Sequence, residues 1–546
     1  MALVGEALRL GALCGALWLF WRVYKHVFER SPLDNIPGPA SVSFSKGNLA
    51  QFYDRQGWDF HHELGLKYGP VVKLHGPFGS KQLFVFDPAA LSSIVVKDQY
   101  IYEEQEEFLA SMHLMLGDGL LATLGEQHRR QRKLLNPVFS INHMRHMAPI
   151  FYRISGDLRE AIASRVTAGA AEVDILDWMA RTALELVGQA GLGYSFDDFV
   201  SDRADEYAEA IKAMVPTLFP LRLLRPFLPL SMKLGSPGLR RRLVALAPNR
   251  HIRRAQEISD AIAAHSHRIF EEKKRGLAAG DAAAVHQIGE GKDIMSRLMQ
   301  ANILAAEEDR LPEAELLGQM STFIFAGMDT TSGALARILQ LLAAHPDVQE
   351  KLRAELVAAR ADAGGDIPYD RLSELPYLDA VCRETLRLYA PVPFLTRTAR
   401  KDMVLPLSAP IRGVDGKLMN EVPVPAGTGI IIGILACNRN PELWGADALE
   451  WRPERWLVPL PESVAKGRVP GVYSHLMTFL GGGRACIGFK FSQLEMKIVL
   501  AVLLPAFTFA PSDKDIIWNI AGIQYPSVRR ESLKAQMPMK IGLVKA

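Results

Sequence analysis

Cysteine is scarce in this chain. Of 546 residues only Cys14, Cys382, Cys437 and Cys486 carry a thiol. Thiols so few and so far apart make no disulfide framework. No C-x-x-C pair occurs, which argues against a zinc ribbon or finger. An excess of charge is missing too: 63 Lys and Arg face 60 Asp and Glu, a net +3. Without surplus cations to neutralise phosphates, nucleic acid is not expected as the main partner. Internal repeats and long low-complexity segments are also absent. What is present is ordinary globular composition, 49% hydrophobic and 23% charged. That excludes a disordered chain, a collagen-like fibre and a polytopic membrane protein.

A clean membrane span is lacking as well. Leu10–Trp21 is an unbroken apolar run of about 12 residues, against the roughly 20 that a bilayer needs. Leu8 to Tyr24 would reach if the flanking charges snorkel. Trp18, Trp21 and Tyr24 suit an interface, and Arg22, Lys25 and His26 favour a cytoplasmic C-terminal side. The competing reading is a cleaved signal peptide, but no small-residue cleavage site follows Trp21. Residues 1–30 are therefore expected to form a single-pass anchor. Ile36-Pro37-Gly38-Pro39 makes residues 31–40 a stiff hinge. Length alone suggests three or four domains at roughly 150 residues each. No linker divides the chain after Pro39, so residues 41–546 read as one catalytic domain.

The patterning is mainly α with a small β portion. Helices are expected over Gly125–Asn136, Asp174–Leu192, Ala204–Met214, His251–Arg275, Leu316–Ala344, His345–Ala361, Leu375–Tyr389 and about Gly488–Leu504. Short strands are expected at Val71–Leu74, Leu83–Phe86, Val424 and Ile430–Leu435. Val215–Pro248 and Ala390–Pro425 read as long, Pro-rich loops.

The most informative stretch is Phe479-Leu480-Gly481-Gly482-Gly483-Arg484-Ala485-Cys486-Ile487-Gly488, followed by an apolar helix. A cysteine at a helix N-terminus has its thiolate favoured by the macrodipole and by free N–H groups. Such a thiolate is a nucleophile or a metal ligand. The bland alternative is a buried core cysteine. Three adjacent glycines beside an arginine are hard to attribute to packing, because glycines let backbone approach something flat or bulky. A phosphate loop is a rival, but Gly488-Phe489-Lys490-Phe491 lacks Gly-Lys-Ser/Thr, and no dinucleotide fingerprint fits.

The stretch resembles Phe-x-x-Gly-x-Arg-x-Cys-x-Gly, the haem signature of the cytochrome P-450 family. Phe479, Gly482, Arg484, Cys486 and Gly488 match every defined position. The resemblance implies a single large cytochrome P-450-type fold around a buried haem b. Cys486 would be the axial thiolate, which pushes electron density toward O–O cleavage. Phe479 would pack beside it, and Arg484 would pair with a haem propionate.

A second motif lies in Leu316–Ala344, a helix apolar around most of its circumference. It contains Ala326-Gly327-Met328-Asp329-Thr330-Thr331. A mid-helix glycine costs about 1 kcal/mol against alanine. Threonines bend helices, and an acid in an apolar helix is expensive. A core kink with a capped aspartate would explain these residues structurally. The family resemblance favours function: Gly327 makes room for dioxygen, Thr330 hydrogen-bonds the oxygen being activated, and Asp329 joins proton delivery.

Glu384-x-x-Arg387 alone would be an ordinary surface pair. With Pro453-Glu454-Arg455-Trp456 it resembles the family's buried triad, implying Glu384, Arg387 and Arg455 as a structural lock. In the basic run at 125–136, a bland reading is a solvated cationic face. The resemblance implies that Arg132 contacts a propionate. His128 stands where tryptophan is usual, and its N–H could serve the same group. Arg397 matches a third propionate-binding arginine. Arg129, Arg130, Lys133 and Lys490 are left as a candidate docking face for an acidic electron donor.

Tyr100–Thr123 resembles the loop over the distal pocket, with Phe394, Leu395 and Ile520–Tyr525 as candidate walls. Val215–Pro237 is either a buried loop or a segment dipping into the membrane. The chain is thus identified as a member of the cytochrome P-450 family, of microsomal, fungal type. That implies a monooxygenase in the endoplasmic reticulum membrane with a cytoplasmic catalytic domain. It would take two electrons from NADPH through a flavoprotein reductase, with cytochrome b5 as a second donor. It would then hydroxylate or epoxidise a lipophilic small molecule with dioxygen. Two alternatives stay open. One is a haem-thiolate isomerase or dehydratase acting on peroxides without a reductase, against which the Asp329-Thr330 pair argues. The other is a cysteine-nucleophile hydrolase.

Overall fold

The computed structural model describes residues 31–200, 206–221, 224–278 and 292–544, with scattered positions before 31. The expected anchor, residues 1–30, lies largely outside the described residues. Among the described residues, no helix is long and apolar enough to cross a membrane. The chain forms two compact units. The first comprises Met1–Glu103, Pro393–Ala448 and Glu462–Arg484. The second comprises Glu104–Val392, Leu449–Pro461 and Ala485–Ala546.

The first unit is built on β-structure. Its strands are β1 (Val71–His75), β2 (Lys81–Val85), β3 (Tyr102–Glu103), β4 (Leu395–Ala399), β5 (Met403–Arg412), β6 (Leu418–Val424) and β7 (Gly429–Ile432). Five of them form one sheet in the order β1-β2-β7-β4-β3. β1 and β2 are an antiparallel hairpin, β7 runs parallel to β2, and β4 pairs antiparallel with β7 so that Arg397 faces Ile430. Ile430, Ile431 and Ile432 are fully buried, and such β-branched runs suit a strand covered on both faces.

β5 and β6 form a separate hairpin. The region Ala390–Pro425, expected as loop, is therefore largely strand. Its prolines hid this. The register slips between Pro406 and Ile411, and a two-stranded ribbon with an irregularity tolerates residues that cannot donate a ladder bond. The strand expected over Ile430–Leu435 stops at Ile432, and a short helix, Ile434–Asn438, takes over.

The second unit is mainly helical. The helices needed below are α1 (Gly125–Leu135), α2 (Ile141–Thr167), α3 (Ile175–Leu186), α4 (Glu313–Ala344), α5 (Pro376–Leu388) and α6 (Phe489–Leu503). α4 packs against α3, and α2 against α6. Residues 187–192 continue α3 as a wider turn, stopped by Gly193 at φ +60°. Glu313 and Glu315 occupy the first turn of α4, where carboxylates complement the helix dipole. Small sheets from Val173–Asp174, Phe507–Pro511 and Pro538–Leu543, and from Ile516–Asn519 and Tyr525–Val528, complete the unit.

α6 buries every residue from Leu494 to Leu503. Among them is Glu495, fully buried, with no hydrogen-bond partner for either carboxylate oxygen among the described residues. Burial holds its carboxyl well above the usual carboxylate range. The folded state therefore keeps this proton while the unfolded chain releases it. Raising pH above the ordinary glutamate range then favours unfolding until the folded group itself ionises. Glu495→Gln should remove that slope. The melting temperature of the variant relative to the parent should rise between about pH 5 and pH 8. Parallel pH profiles would show that Glu495 does not titrate this way.

Candidate active site

In the second unit, α4 is buried along most of its length, yet Ala326 in its middle is exposed. Gly327, Asp329 and Thr330 share this opening as partly accessible residues. Thr330 Oγ1 donates to the Ala326 carbonyl at 2.8 Å, the back-bond that bends helices. Burial pushes the Asp329 carboxyl up, and the positive charge of Lys212 partly offsets this. Asp329 is thus an acid that holds its proton more tightly than usual, next to an alcohol. A Cβ on Gly327 would come within 2.6 Å of Val187 Cγ2. In this structure its missing side chain lets α4 approach the turn after α3.

Cys486 lies just before α6, whose N-cap is Gly488. It keeps open surface, yet the protein around it is dense enough that desolvation pushes its thiol up. The Gly488 N–H and the charge of Arg132 pull the other way. Arg132 Nη1 donates to the Ala485 carbonyl at 2.7 Å, one residue before the cysteine. His128 is buried one turn earlier on α1. The i, i+4 spacing puts it on the same helix face as Arg132.

In the first unit, Phe479 meets Tyr473 edge-on, with ring centroids 5.5 Å apart. Arg397 is buried on β4, and its Nη1 donates to the Thr396 carbonyl at 2.8 Å. Arg484 is half-buried. The three glycines have protein neighbours. A Cβ on Gly481 would fall 1.8 Å from Pro470 O, one on Gly482 1.7 Å from Val95 O, and one on Gly483 2.6 Å from Gln99 Oε1. Gly482 also has φ +68°. Packing against backbone therefore accounts for Gly481 and Gly482, contrary to the expectation that it would not, whereas Gly483 faces a side chain that can move. A Cβ on Gly488, in contrast, would meet nothing within 4 Å.

These features fit a thiolate-bound haem. An accessible sulfur in a desolvating place cannot hold its own charge, and a metal cation supplies the missing counter-charge. Open space beside Gly488 leaves room for a bulky flat group. Cys486 would hold the iron, and Arg132 of the same unit offers charge for a propionate.

Glu384, Arg387 and Arg455 meet as a buried cluster in the second unit, all nearly inaccessible. Arg387 grips the carboxylate with Nε at 2.9 Å and Nη2 at 2.8 Å, while Arg455 Nε adds a bond at 3.3 Å. Trp456 Nε1 donates at 3.0 Å and the Arg452 N–H at 3.2 Å. The indole donor was not inferable from the motif, since tryptophan there reads equally well as packing. In the basic run on α1, Arg130 turns to an internal partner while Arg129 and Lys133 stay on the surface. Arg130 Nη2 bonds the buried Glu315 at 2.6 Å, and Lys133 pairs with Asp309. Arg129 remains exposed beside Glu126.

Comparison with known proteins agrees with this geometry. The sequence profile of Cytochrome P450 matches residues 37–524. The chain is 68% identical over 540 residues to "Cytochrome P450 monooxygenase 91" of Postia placenta, covering 99% of both. It is 50% identical to "Ganoderic acid synthetase CYP5150L8" of Ganoderma lucidum, covering 98% of both. It is 38% identical to "Cytochrome P450 monooxyhenase eriI" of Hericium erinaceus, covering 94% of both. This chain belongs to the cytochrome P450 family. It is a haem-thiolate monooxygenase, with haem as its cofactor and dioxygen as co-substrate.

Removing the Glu384 carboxylate would leave two buried guanidinium groups without it. Glu384→Ala should cost about 3–5 kcal/mol and abolish haem incorporation. Purified variant protein assayed for absorbance and folding checks this. A soluble, haem-replete variant would contradict it.

Proposed function

We propose that this enzyme takes electrons from NADPH through a flavoprotein reductase and hydroxylates or epoxidises a lipophilic small molecule. The opening of α4 at Ala326–Thr330 carries this reading. It presents an acid and an alcohol side by side in a mainly apolar, mostly buried helix, which is what delivery of protons to activated dioxygen requires. Haem, when bound, supplies the oxygen activation itself. The chain supplies the rest. Cys486 ligates the iron, and Phe479, Gly482 and Gly488 belong to the loop that shapes its seat. Arg132, His128, Arg397 and Arg484 are the propionate contacts that the family motifs imply. Burial makes Asp329 hold its proton more tightly than usual, and Thr330 is the alcohol that follows it on the helix. The charge of Lys212 offsets part of that upward shift. The name of the Ganoderma relative carries a small organic acid, which supports a small-molecule substrate here.

The test combines spectra and turnover. Reduced protein with carbon monoxide should show the red-shifted Soret band of thiolate ligation, and Cys486→Ser should lose it. Thr330→Ala should keep that band and still consume NADPH with a reductase. Its product per NADPH should fall by about tenfold or more. Turnover of a hydroperoxide without NADPH or reductase would favour the isomerase reading instead.

The membrane reading has separate support. Phe227, Leu230, Leu239, Leu243 and Leu246 are exposed large apolar side chains close together in sequence. Leu239, Leu243 and Leu246 recur at helical spacing along and just past the helix Pro237–Ala245, beside Arg240, Arg241 and Arg242. Apolar side chains next to arginines suit a bilayer interface with anionic headgroups. With the apolar run at residues 10–21, this supports residence in the endoplasmic reticulum membrane with the catalytic part on the cytoplasmic side. Replacing Leu239 and Leu243 by Ser should weaken partition of the full chain onto anionic vesicles by roughly tenfold or more. Flotation of both proteins checks this, and equal partition would remove these residues from the membrane contact.

A further inference from the structure

Glu315 is a buried, multiply bonded carboxylate that the proposed chemistry does not use. It lies in the first turn of α4 and is buried. Three side chains of α1 converge on it. Gln127 Nε2 and Arg130 Nη2 donate to Oε1 at 3.1 and 2.6 Å, and Gln131 Nε2 donates to Oε2 at 2.7 Å. Gln131 is itself fully buried. It also donates to the Asp118 carbonyl at 2.9 Å and accepts from Thr123 Oγ1 at 3.0 Å. One turn along α4, Gln319 Oε1 accepts the Leu120 N–H at 3.1 Å.

The backbones meet directly at the same place. A Cβ on Gly318 of α4 would fall 2.3 Å from Gly119 N, and one on Gly119 would fall 2.3 Å from Gly318 O. Neither glycine can be replaced without parting the loop from the helix. Side-chain bonds and close backbone approach therefore fix one register between α1, the 117–123 loop and α4.

The next residue on α1 is Arg132, which bonds the carbonyl of Ala485. A continuous chain of polar contacts thus runs from α4, the helix with Asp329 and Thr330, through α1 to the residue before Cys486. We propose that Glu315 is a positioning residue for Cys486. By holding Arg130 and Gln131 it seats α1, and so sets the bond from Arg132 to the cysteine loop. The inference rests on Cys486 carrying the iron. Arg132 is the group that holds the segment next to the ligand, and Glu315 acts one step further out by fixing the helix that carries it; outer groups of this kind commonly matter for metal retention.

Glu315→Gln keeps the shape but replaces one acceptor oxygen by a donor. Because donors approach both oxygens, at least one bond must fail and one donor must face another. Gln131→Leu breaks the same link from the other side and serves if the first variant does not accumulate. Gln349→Leu is the control. Gln349 is buried on the helix Pro346–Ala363 and bonded to Leu342 O and to Phe509. It should lower the melting temperature without touching α1.

Full-length holoenzyme is reduced under carbon monoxide, and decay of the thiolate Soret band is timed beside the melting temperature. The Glu315 and Gln131 variants should lose the band about tenfold faster than the parent. The Gln349 variant should match the parent at a similar loss of melting temperature. Decay that follows melting temperature across all three variants would overturn the proposal. So would a Glu315→Gln enzyme that decays like the parent. A parent enzyme with no thiolate band, indistinguishable from Cys486→Ser, would remove the assignment of Cys486 and this proposal with it.

Discussion

A sulfur ligand in a desolvated place must have its negative charge stabilised by something other than water. Burial alone pushes the Cys486 thiol up, so the chain by itself favours the neutral form. Much of the surrounding structure reduces that penalty. The cysteine precedes the N-terminus of an apolar helix, whose N–H groups favour negative charge there. Gly488 contributes one of them, and Arg132 adds a positive charge without pairing directly with sulfur. The metal cation supplies the remainder. A thiolate tuned this way remains electron-rich, which is what a haem-thiolate oxygenase needs from its axial ligand.

The same electrostatic economy recurs in the second unit. Glu384 is buried and surrounded by donors from Arg387, Arg452, Arg455 and Trp456. Glu315 is buried and surrounded by donors from one helix. Each carboxylate ties segments far apart in sequence, and removing either leaves donors buried without an acceptor. Glu495 is the exception, buried without donors, and burial keeps it protonated. The difference is physical: a paired carboxylate fixes register because its partners must stay, whereas a neutral acid constrains nothing by charge.

Much of this was legible in the residues. The helices with strong apolar periodicity, α4 and α6 above all, lie where their patterns put them, with ends shifted by a few residues. The Glu384 cluster was visible as two short motifs, because guanidinium and carboxylate chemistry leaves few other uses for them. The β5–β6 hairpin was hidden by its prolines, and α2 carries Pro149 within its length, which masks a helix of 27 residues. The Glu315 cluster left no signal, since glutamines and a glutamate on two helices have no characteristic spacing. Its partners lie about 185 residues apart, and only the fold brings them together.

The glycine-rich loop shows how a motif can be right while the physical reason for it is wrong. Read along the chain, its glycines suggest a surface cleared for a bound group. Tested one Cβ at a time, Gly481 and Gly482 are instead required by the backbone of Pro470 and Val95, while Gly483 faces only the movable Gln99 side chain. Only Gly488 faces open space. The α4 motif divides in the same way. Gly327 is required by Val187, whereas Ala326 keeps its surface open. Motif positions thus fall into two kinds: those that let the chain pack against itself and those that leave room for what it binds. A substitution at the first kind should fail through folding. At the second it should fail through the cofactor or oxygen while the fold survives. Equal conformity to a pattern therefore does not mean an equal role, and the neighbours of each missing side chain separate the two.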